Sequence, residues 1–418
     1  MNLKFNKYNL ANGLALIVAE NHHAQSVVVS GRLQGGAWLD PLDKIGLADF
    51  MVDLMRRGTT KHTFSQLNDI IEEVAASVYV DCGRHMTTFG GKSLAEDFGL
   101  LAEIVTECLS SPTFPTEEIE KVRGQTMTHL KQLADSTRGM ADRHFRELLY
   151  TTNHPYGRPI TGTLESVPQI TRDDLVNFYQ QNLHTQNGVV IVVGDVHSQT
   201  VYETLEATLG QWQPIHPAPQ TAMPTPLPLT EKARRVHPMK NKSQADLALG
   251  CIGPSRDDAD FYIASVGDTI LGQLGLGGRI GQSVRDEGGM AYYARTQLSG
   301  GLGPGPWYVY AGVNPISVDK AIEFILTEIR RFRDELVTDH ELADAKAYLT
   351  GILPLQMETN EGVLSTLLDI HLYQLGDDFI ARYPSIINAV TKEEIMAVAQ
   401  KYLSTEVYAL SIAGPYEG

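Results

Sequence analysis

Basic side chains are in short supply in this chain. Its 34 lysines and arginines face 50 aspartates and glutamates, for a formal charge of −16. That balance argues against nucleic acid and anionic membranes as partners, since both need a cationic face. An evenly acidic surface keeps a protein soluble and does not by itself point to a function. Cysteine is equally sparse. Cys82, Cys108 and Cys251 are too few and too scattered for a disulfide framework or a zinc ribbon, and a reducing compartment is the simplest inference. Long apolar runs are absent: none approaches the roughly 18 to 20 residues a membrane helix needs. The first residues, Met1 to Asn6, lead into strand-like sequence with no apolar leader core. The expectation is a cytoplasmic protein, or a periplasmic one if a leader has been removed.

What is present is a soluble globular composition spread over 418 residues, 43% of them hydrophobic. That is too long for one ordinary core, so two or more domains are expected. Proline clusters near the middle, from Pro214 through Pro219 and again from Pro224 to Pro228. Such a segment favours extended, unpaired backbone and reads as a linker. It divides the chain into domains at 1–213 and 231–418, joined by 214–230.

The two sides of the linker repeat one another. Thr171-Arg172-Asp173-Asp174 opens a helix that leads to the strand Gly188 to Gly194, and Thr391-Lys392-Glu393-Glu394 does the same before Tyr408 to Gly414. Thr116-Glu117-Glu118 and Thr338-Asp339-His340-Glu341 form a second such pair with almost the same separation. Thr followed by acids is a helix N-cap with dipole support. Starts at a near-constant offset imply duplication of one domain. Within the first half, strands are predicted over 13–20 and 25–34, helices over 45–57 and 65–76, and strands over 77–82 and 86–91. Three or four helices follow to Tyr150, and the second half copies this order from Ala245 onward. The predicted class is α+β: two duplicated domains, each a mostly antiparallel sheet with helices packed on one face.

Two segments carry chemistry. In Gly46 to Thr59, Asp49 and Asp53 lie one helical turn apart with Val52 between them. The carboxylates could hold a hard cation, with His129 as a third ligand, or could be solvated beside Arg56 and Arg57. Val52 offers no proton acceptor. The other histidines give no metal pattern: His22 and His23 are adjacent and point to opposite faces of a strand, and His144, His154, His184 and His197 lack a partner at helical ligand spacing. The second segment runs from Leu271 to Tyr293. A turn rich in glycine opens a helix that ends in Arg285, and Tyr292 follows seven residues later on a strand. A guanidinium and a phenol are donors suited to an oxyanion; equally, Arg can cap a helix end and Tyr can pack on a sheet. Gly275 to Gly281 could be misread as a dinucleotide fingerprint, but no βαβ unit encloses it.

In their order, Gly46 to Thr59, Phe114-Pro115, the strand ending in Gly194-Asp195 and the Arg285/Tyr292 segment resemble the pitrilysin, insulinase and mitochondrial-processing-peptidase family, from about Tyr8 to Pro415. That family writes His-x-x-Glu-His where this chain has Asp49, Val52 and Asp53. Its third zinc ligand, and a supporting Glu seven residues on, fall at Val122 and His129. The resemblance therefore implies a subunit whose zinc motif is degenerate and which has no cofactor of its own. Zinc is expected in a homologous partner subunit. Arg285 and Tyr292 are implied as the catalytic pair offered to that partner's site. Gly277 and Gly278, with Gly35 and Gly36 at the end of a strand edge, are implied to bind peptide. Unfolded peptides are the implied substrates, and alone the chain is expected to be inactive, without stoichiometric zinc, and able to homodimerise. The alternative is a structural or scaffolding homologue with no catalytic role.

Overall fold

A computed structural model describes residues 3–216 and 223–418. Residues 217–222 of the expected linker thus lie outside the described residues. The first half contains β1 (Asn6–Asn9), β2 (Ala15–Glu20), β3 (Ser26–Gln34), α1 (Leu47–Met55), α2 (Phe64–Glu73), β4 (Ser77–Cys82), β5 (Met86–Leu94), α3 (Phe98–Ser110), α4 (Thr116–Ala134), α5 (Thr137–Tyr150), α6 (Arg172–Asn182), β6 (His184–Gly194) and α7 (Ser198–Ala207). The second contains β7 (Ala233–Pro238), β8 (Ala245–Ile252), α8 (Phe261–Asp268), α9 (Arg279–Gly281), β9 (Ala291–Leu298), β10 (Pro306–Val313), α10 (Val318–Asp334), α11 (Asp339–Gln356), α12 (Asn360–Leu372), α13 (Phe379–Ala389), α14 (Lys392–Tyr402) and β11 (Ala409–Gly414). No described helix is long and apolar enough to cross a membrane.

Each half builds one sheet. The first is ordered β1-β2-β6-β3-β5-β4 and the second β7-β11-β8-β10-β9. All neighbours are antiparallel except β2 with β6 and β7 with β11. The second order is the first without β1, as duplication requires. The local signals repeat too. Thr171 and Thr391 both close capping boxes, with Asp174 and Glu394, and the strands that follow end at Gly194 and Gly414, with φ of 153° and 145°. The Thr116–Thr338 match is looser. Thr338 accepts from the Glu341 amide ahead of α11, whereas Thr116 is already the first residue of α4.

The compact units do not follow the linear halves. One consists of Met1–Leu130, Pro159–Ala222 and Pro354–Ile380; the other of Lys131–Arg158, Met223–Leu353 and Ala381–Gly418. The halves therefore exchange one helix each: α12 lies against β6 and β3, and α5 against β11, β8 and β7. In the first unit, Val27, Val29, Leu33, Val190 and Val192 face Phe50, Met51, Leu101 and Ile104 of α1 and α3. Alternation in β6 then turns Val189, Ile191 and Val193, also buried, to the face that α12 covers. In the second unit, Leu247, Leu249, Val309, Ala311 and Ile412 pack with Ile325, Phe332 and Ile395. The opposite face places Ala248, Tyr308 and Ala409 against Phe145 and Leu149 of α5. The predicted single helical layer is present, and one exchanged helix is added on the far side of each sheet. Burying both faces explains why the central strands read as nearly unbroken apolar runs.

Candidate functional site

Helix α1 begins at Gly46, whose φ of 94° needs glycine and where an added Cβ would come 2.6 Å from the Gly162 Cα. Asp40 supplies the cap, accepting from the amides of Gly46 at 2.7 Å and Ala48 at 2.9 Å. The helix buries Ala48, Met51, Val52, Leu54 and Met55 in the first unit's core. Val52 is 1% exposed and Val122, on α4, is 2% exposed. Both are core side chains filling apolar volume. Asp49 and Asp53 point away from that core, Asp49 half-buried and Asp53 exposed. Burial, together with the Asp53 charge, pushes the Asp49 carboxyl up to about 7 against a hydrogen bond with Thr161. Partial loss of hydration against the surrounding protein also raises Asp53, although it remains solvent-accessible, against the pull of Arg57 and Arg56. Neither arginine closes an ion pair with these acids. Arg56 donates to the Val78 carbonyl at 2.7 Å; Arg57 lies over the Phe64 ring and 3.7 Å from Glu118.

This site does not fit a zinc ion. Two ligand positions are aspartates in place of imidazoles, the base position is the core residue Val52, and the third ligand position, Val122, has no lone pair. His129 is exposed on α4 and is not gathered with Asp49 and Asp53 into any ligand group among the described residues. The hard-cation alternative Asp49/Asp53/His129 is not supported, because the three do not form a group within ligand distance among the described residues.

The expected strand edge at Gly35 and Gly36 is also corrected. β3 is an interior strand between β6 and β5. Both glycines are buried, and a Cβ on Gly36 would sit 2.4 Å from the His85 backbone, while one on Gly35 would sit 2.8 Å from the Asn182 carbonyl. They serve close backbone packing. The free edges of this sheet among the described residues are β1 and β4, and β4 lies beside α1.

In the second unit the glycine-rich segment folds back on itself. A Cβ on Gly278 would meet the Gly272 Cα at 2.6 Å, and one on Gly281 the Gly275 carbonyl oxygen at 2.0 Å. Close packing against Gly272 thus requires glycine at 278, which is buried, while Gly277 and its neighbour Leu276 are exposed at the tip. Arg279 pins the turn with a forked pair to Glu341, at 2.6 and 2.9 Å. Burial works to raise the Glu341 carboxyl, but Arg279 and the Thr338 cap outweigh it and hold it at about 2.

The helical turn Gln282–Glu287 then presents Arg285 to solvent. Tyr292 follows on edge strand β9 and is 64% exposed. Its exposure has a local cause. Tyr293 pairs with Gly312 and Ala291 with Val313, so Tyr292 is the extra residue of a β-bulge. A bulge re-aims a side chain that regular alternation would have turned onto the core. Neither the Arg285 nor the Tyr292 side chain has a hydrogen bond, ion pair or ring contact among the described residues. Tyr293 turns to the opposite side, where its hydroxyl donates to the buried Asp246. Sequence alone treats His22 and His197 singly; the structure brings them together with Glu20 in one group, and only knowledge of the β2–β6 pairing could have revealed that.

Two sheets of matching strand order, each with helices on both faces, define a duplicated α+β fold, and comparison with known proteins places that fold in a family. Residues 16–164 match the profile of Insulinase (Peptidase family M16), and residues 169–349 that of the Peptidase M16 inactive domain. The chain belongs to the M16 peptidase family. It is 26% identical to an uncharacterized zinc protease of Streptomyces coelicolor, over 88% of this chain and 81% of that protein. It is 24% identical to the mitochondrial-processing peptidase subunit beta of Neurospora crassa, over 100% of this chain and 89% of that one. A crystal structure of the peptidase M16 inactive domain from Pseudomonas fluorescens superimposes with a TM-score of 0.91 at 21% identity, covering 99% of this chain and 98% of that one. A protease from Helicobacter pylori gives 0.88 at 18% identity, covering 98% and 99%.

Proposed function

We propose that this chain is the catalytically incomplete subunit of a heterodimeric zinc peptidase. A homologous partner with an intact His-x-x-Glu-His motif carries the metal that activates water. This chain closes the chamber and lends Arg285 and Tyr292. The phenol O–H and the guanidinium donate to the substrate carbonyl and to the oxyanion that develops on it, and such donors are worth most where water is excluded. Unfolded peptides are the substrates, bound along free strand edges by main-chain hydrogen bonds. Among the free strand edges, β4 beside α1 and β9 carrying Tyr292, with the exposed tip at Gly277, are the surfaces this reading assigns to that role. The cytoplasm is the proposed compartment. Alone, the chain is inactive, and it is free to pair with a second copy.

The observation that carries this reading is a contrast within one chain. The positions needed to hold and use zinc are apolar core or mutually repelling acids, whereas the donor pair stands exposed with nothing to hold. A scaffolding homologue would have no use for the second half of that contrast. The test is reconstitution with a zinc-bearing M16 partner, comparing wild type with the Arg285→Ala/Tyr292→Phe chain. Loss of peptide hydrolysis with the heterodimer still assembled supports the proposal; unchanged hydrolysis assigns the chain to scaffolding.

A further inference from the structure

β2 and β6 are parallel neighbours, with Glu20 in register with Gly194. Their C-terminal ends therefore emerge at the same edge of the first unit's sheet. The chain leaving β2 carries Glu20 and His22; the chain leaving β6 carries Asp195 and His197 before α7 begins. The Asn21 amide, donating to the Gly194 carbonyl at 2.7 Å, ties the two exits together. The result is a group of Glu20, His22 and His197 whose ligand atoms all lie within 4.8 Å of one another.

Three features give this group more than proximity. Asp195 Oδ1 lies 2.7 Å from His22 Nδ1. Accepting the Nδ1 proton there leaves Nε2 as the free ring nitrogen, the way a carboxylate behind a metal-bound histidine sets its tautomer. Glu20 is oriented in turn. One carboxylate oxygen accepts from the Ser198 amide at 2.8 Å and the Ser198 hydroxyl at 2.6 Å, while the other faces His22 Nε2 at 3.3 Å. Third, His197 stands across the gap, with its ring 5.3 Å from that of His22. His22 thus faces a carboxylate from each ring nitrogen, and a cation must bridge Nε2 and the Glu20 oxygen. A proton can serve, and so can a metal.

We propose that Glu20, His22 and His197 form a binding site for one divalent transition-metal ion of the Zn²⁺ class, with Asp195 as the residue that positions His22. Two imidazoles and one carboxylate suit that class, at bond lengths of roughly 2.0–2.2 Å, with water completing the shell. All three side chains are exposed, which leaves them room to rotate toward those distances. The site is separate from α1 and is independent of the function proposed above. Zinc content of the wild-type chain therefore says nothing about the 49–53 helix until this site has been removed.

The test is calorimetric titration of untagged, chelator-stripped full-length chain with Zn²⁺, with Co²⁺ absorption as a second probe. Wild type should bind one ion per chain. His22→Ala/His197→Ala should lose it, while His23→Ala and Asp49→Asn/Asp53→Asn should retain it. Asp195→Asn, which touches no metal, should weaken affinity by about 10- to 100-fold and alter the Co²⁺ spectrum less than loss of a ligand does. Far-UV circular dichroism checks that each variant is folded. No binding by wild type, or unchanged binding by folded His22→Ala/His197→Ala, overturns the proposal.

Discussion

Replacing Asp49 with Asn should make the protein more stable, and more so as the pH rises. A carboxylate in water titrates near 3.9, and burial beside Asp53 carries Asp49 to about 7 in the folded chain. Below about pH 4 the residue is protonated in both folded and unfolded states and costs nothing. Between about pH 4 and 7 the unfolded chain gives up its proton while the folded chain keeps it, so stability falls as pH rises. Above pH 7 the full cost is present. At 1.36 kcal/mol per pKa unit it reaches about 4 kcal/mol as an upper bound, and solvent screening at this half-buried position lowers it to about 2–3 kcal/mol. Asn keeps the shape and a partner for Thr161 without the charge. Urea unfolding of wild type and Asp49→Asn at pH 4.5 and pH 8 should give nearly equal midpoints at the lower pH and a clear advantage for Asn at the higher. If Asp49 instead helped to hold a cation, Asn would lower the midpoint at pH 8, and chelator would lower that of the wild type. A gap that does not change with pH would refute the desolvation argument.

Other substitutions probe other parts of the structure. In a reconstituted heterodimer, Tyr292→Phe and Arg285→Ala should each lower kcat by about 10²- to 10³-fold. Because neither side chain has a partner among the described residues, thermal stability should stay within about 0.5 kcal/mol of wild type; a matching loss of stability would mean they act in folding. Val52→Glu, which puts the family's carboxylate back into a position 1% exposed, should destabilise by about 3 kcal/mol or more in the absence of metal, measured by urea midpoint. Trp307→Phe removes the indole N–H that donates to buried Asp268 at 2.8 Å. It should cost about 1–3 kcal/mol, and a neutral result would show that Asp268 is protonated and satisfied elsewhere.

Much of the fold was legible because its signals are local. The capping boxes at Thr171 and Thr391 sit at the matching helix starts that the sequence marks in each half. The apolar runs of β3 and β6 became strands within a residue or two at most ends. What escaped was non-local or weakly patterned. β1 and β7 are edge strands with little buried surface, so their sequences, Asn-Lys-Tyr-Asn and Ala-Arg-Arg-Val-His-Pro, carry no apolar alternation. The exchange of α5 and α12 was invisible because an amphipathic helix encodes an apolar face and not which sheet that face will meet. The site divides the same way. The spacing from Arg285 to Tyr292 was readable, but the bulge that exposes Tyr292 depends on pairing with β10. Gly36 and Gly278 read as binding glycines because sequence shows the missing side chain and not the neighbouring backbone that excludes it. His22 and His197 stand near opposite ends of the first half of the sequence and meet only through parallel pairing of β2 and β6.

The division of labour between two subunits is tested most directly by following hydrolysis of a quenched unfolded peptide under three conditions: this chain alone, a zinc-bearing M16 partner alone, and both together. The chain alone should show no EDTA-sensitive cleavage, with or without added zinc, and the mixture should exceed the partner alone by a factor that disappears with Arg285→Ala/Tyr292→Phe. EDTA-sensitive cleavage by the pure wild-type chain, persisting in His22→Ala/His197→Ala, would contradict it.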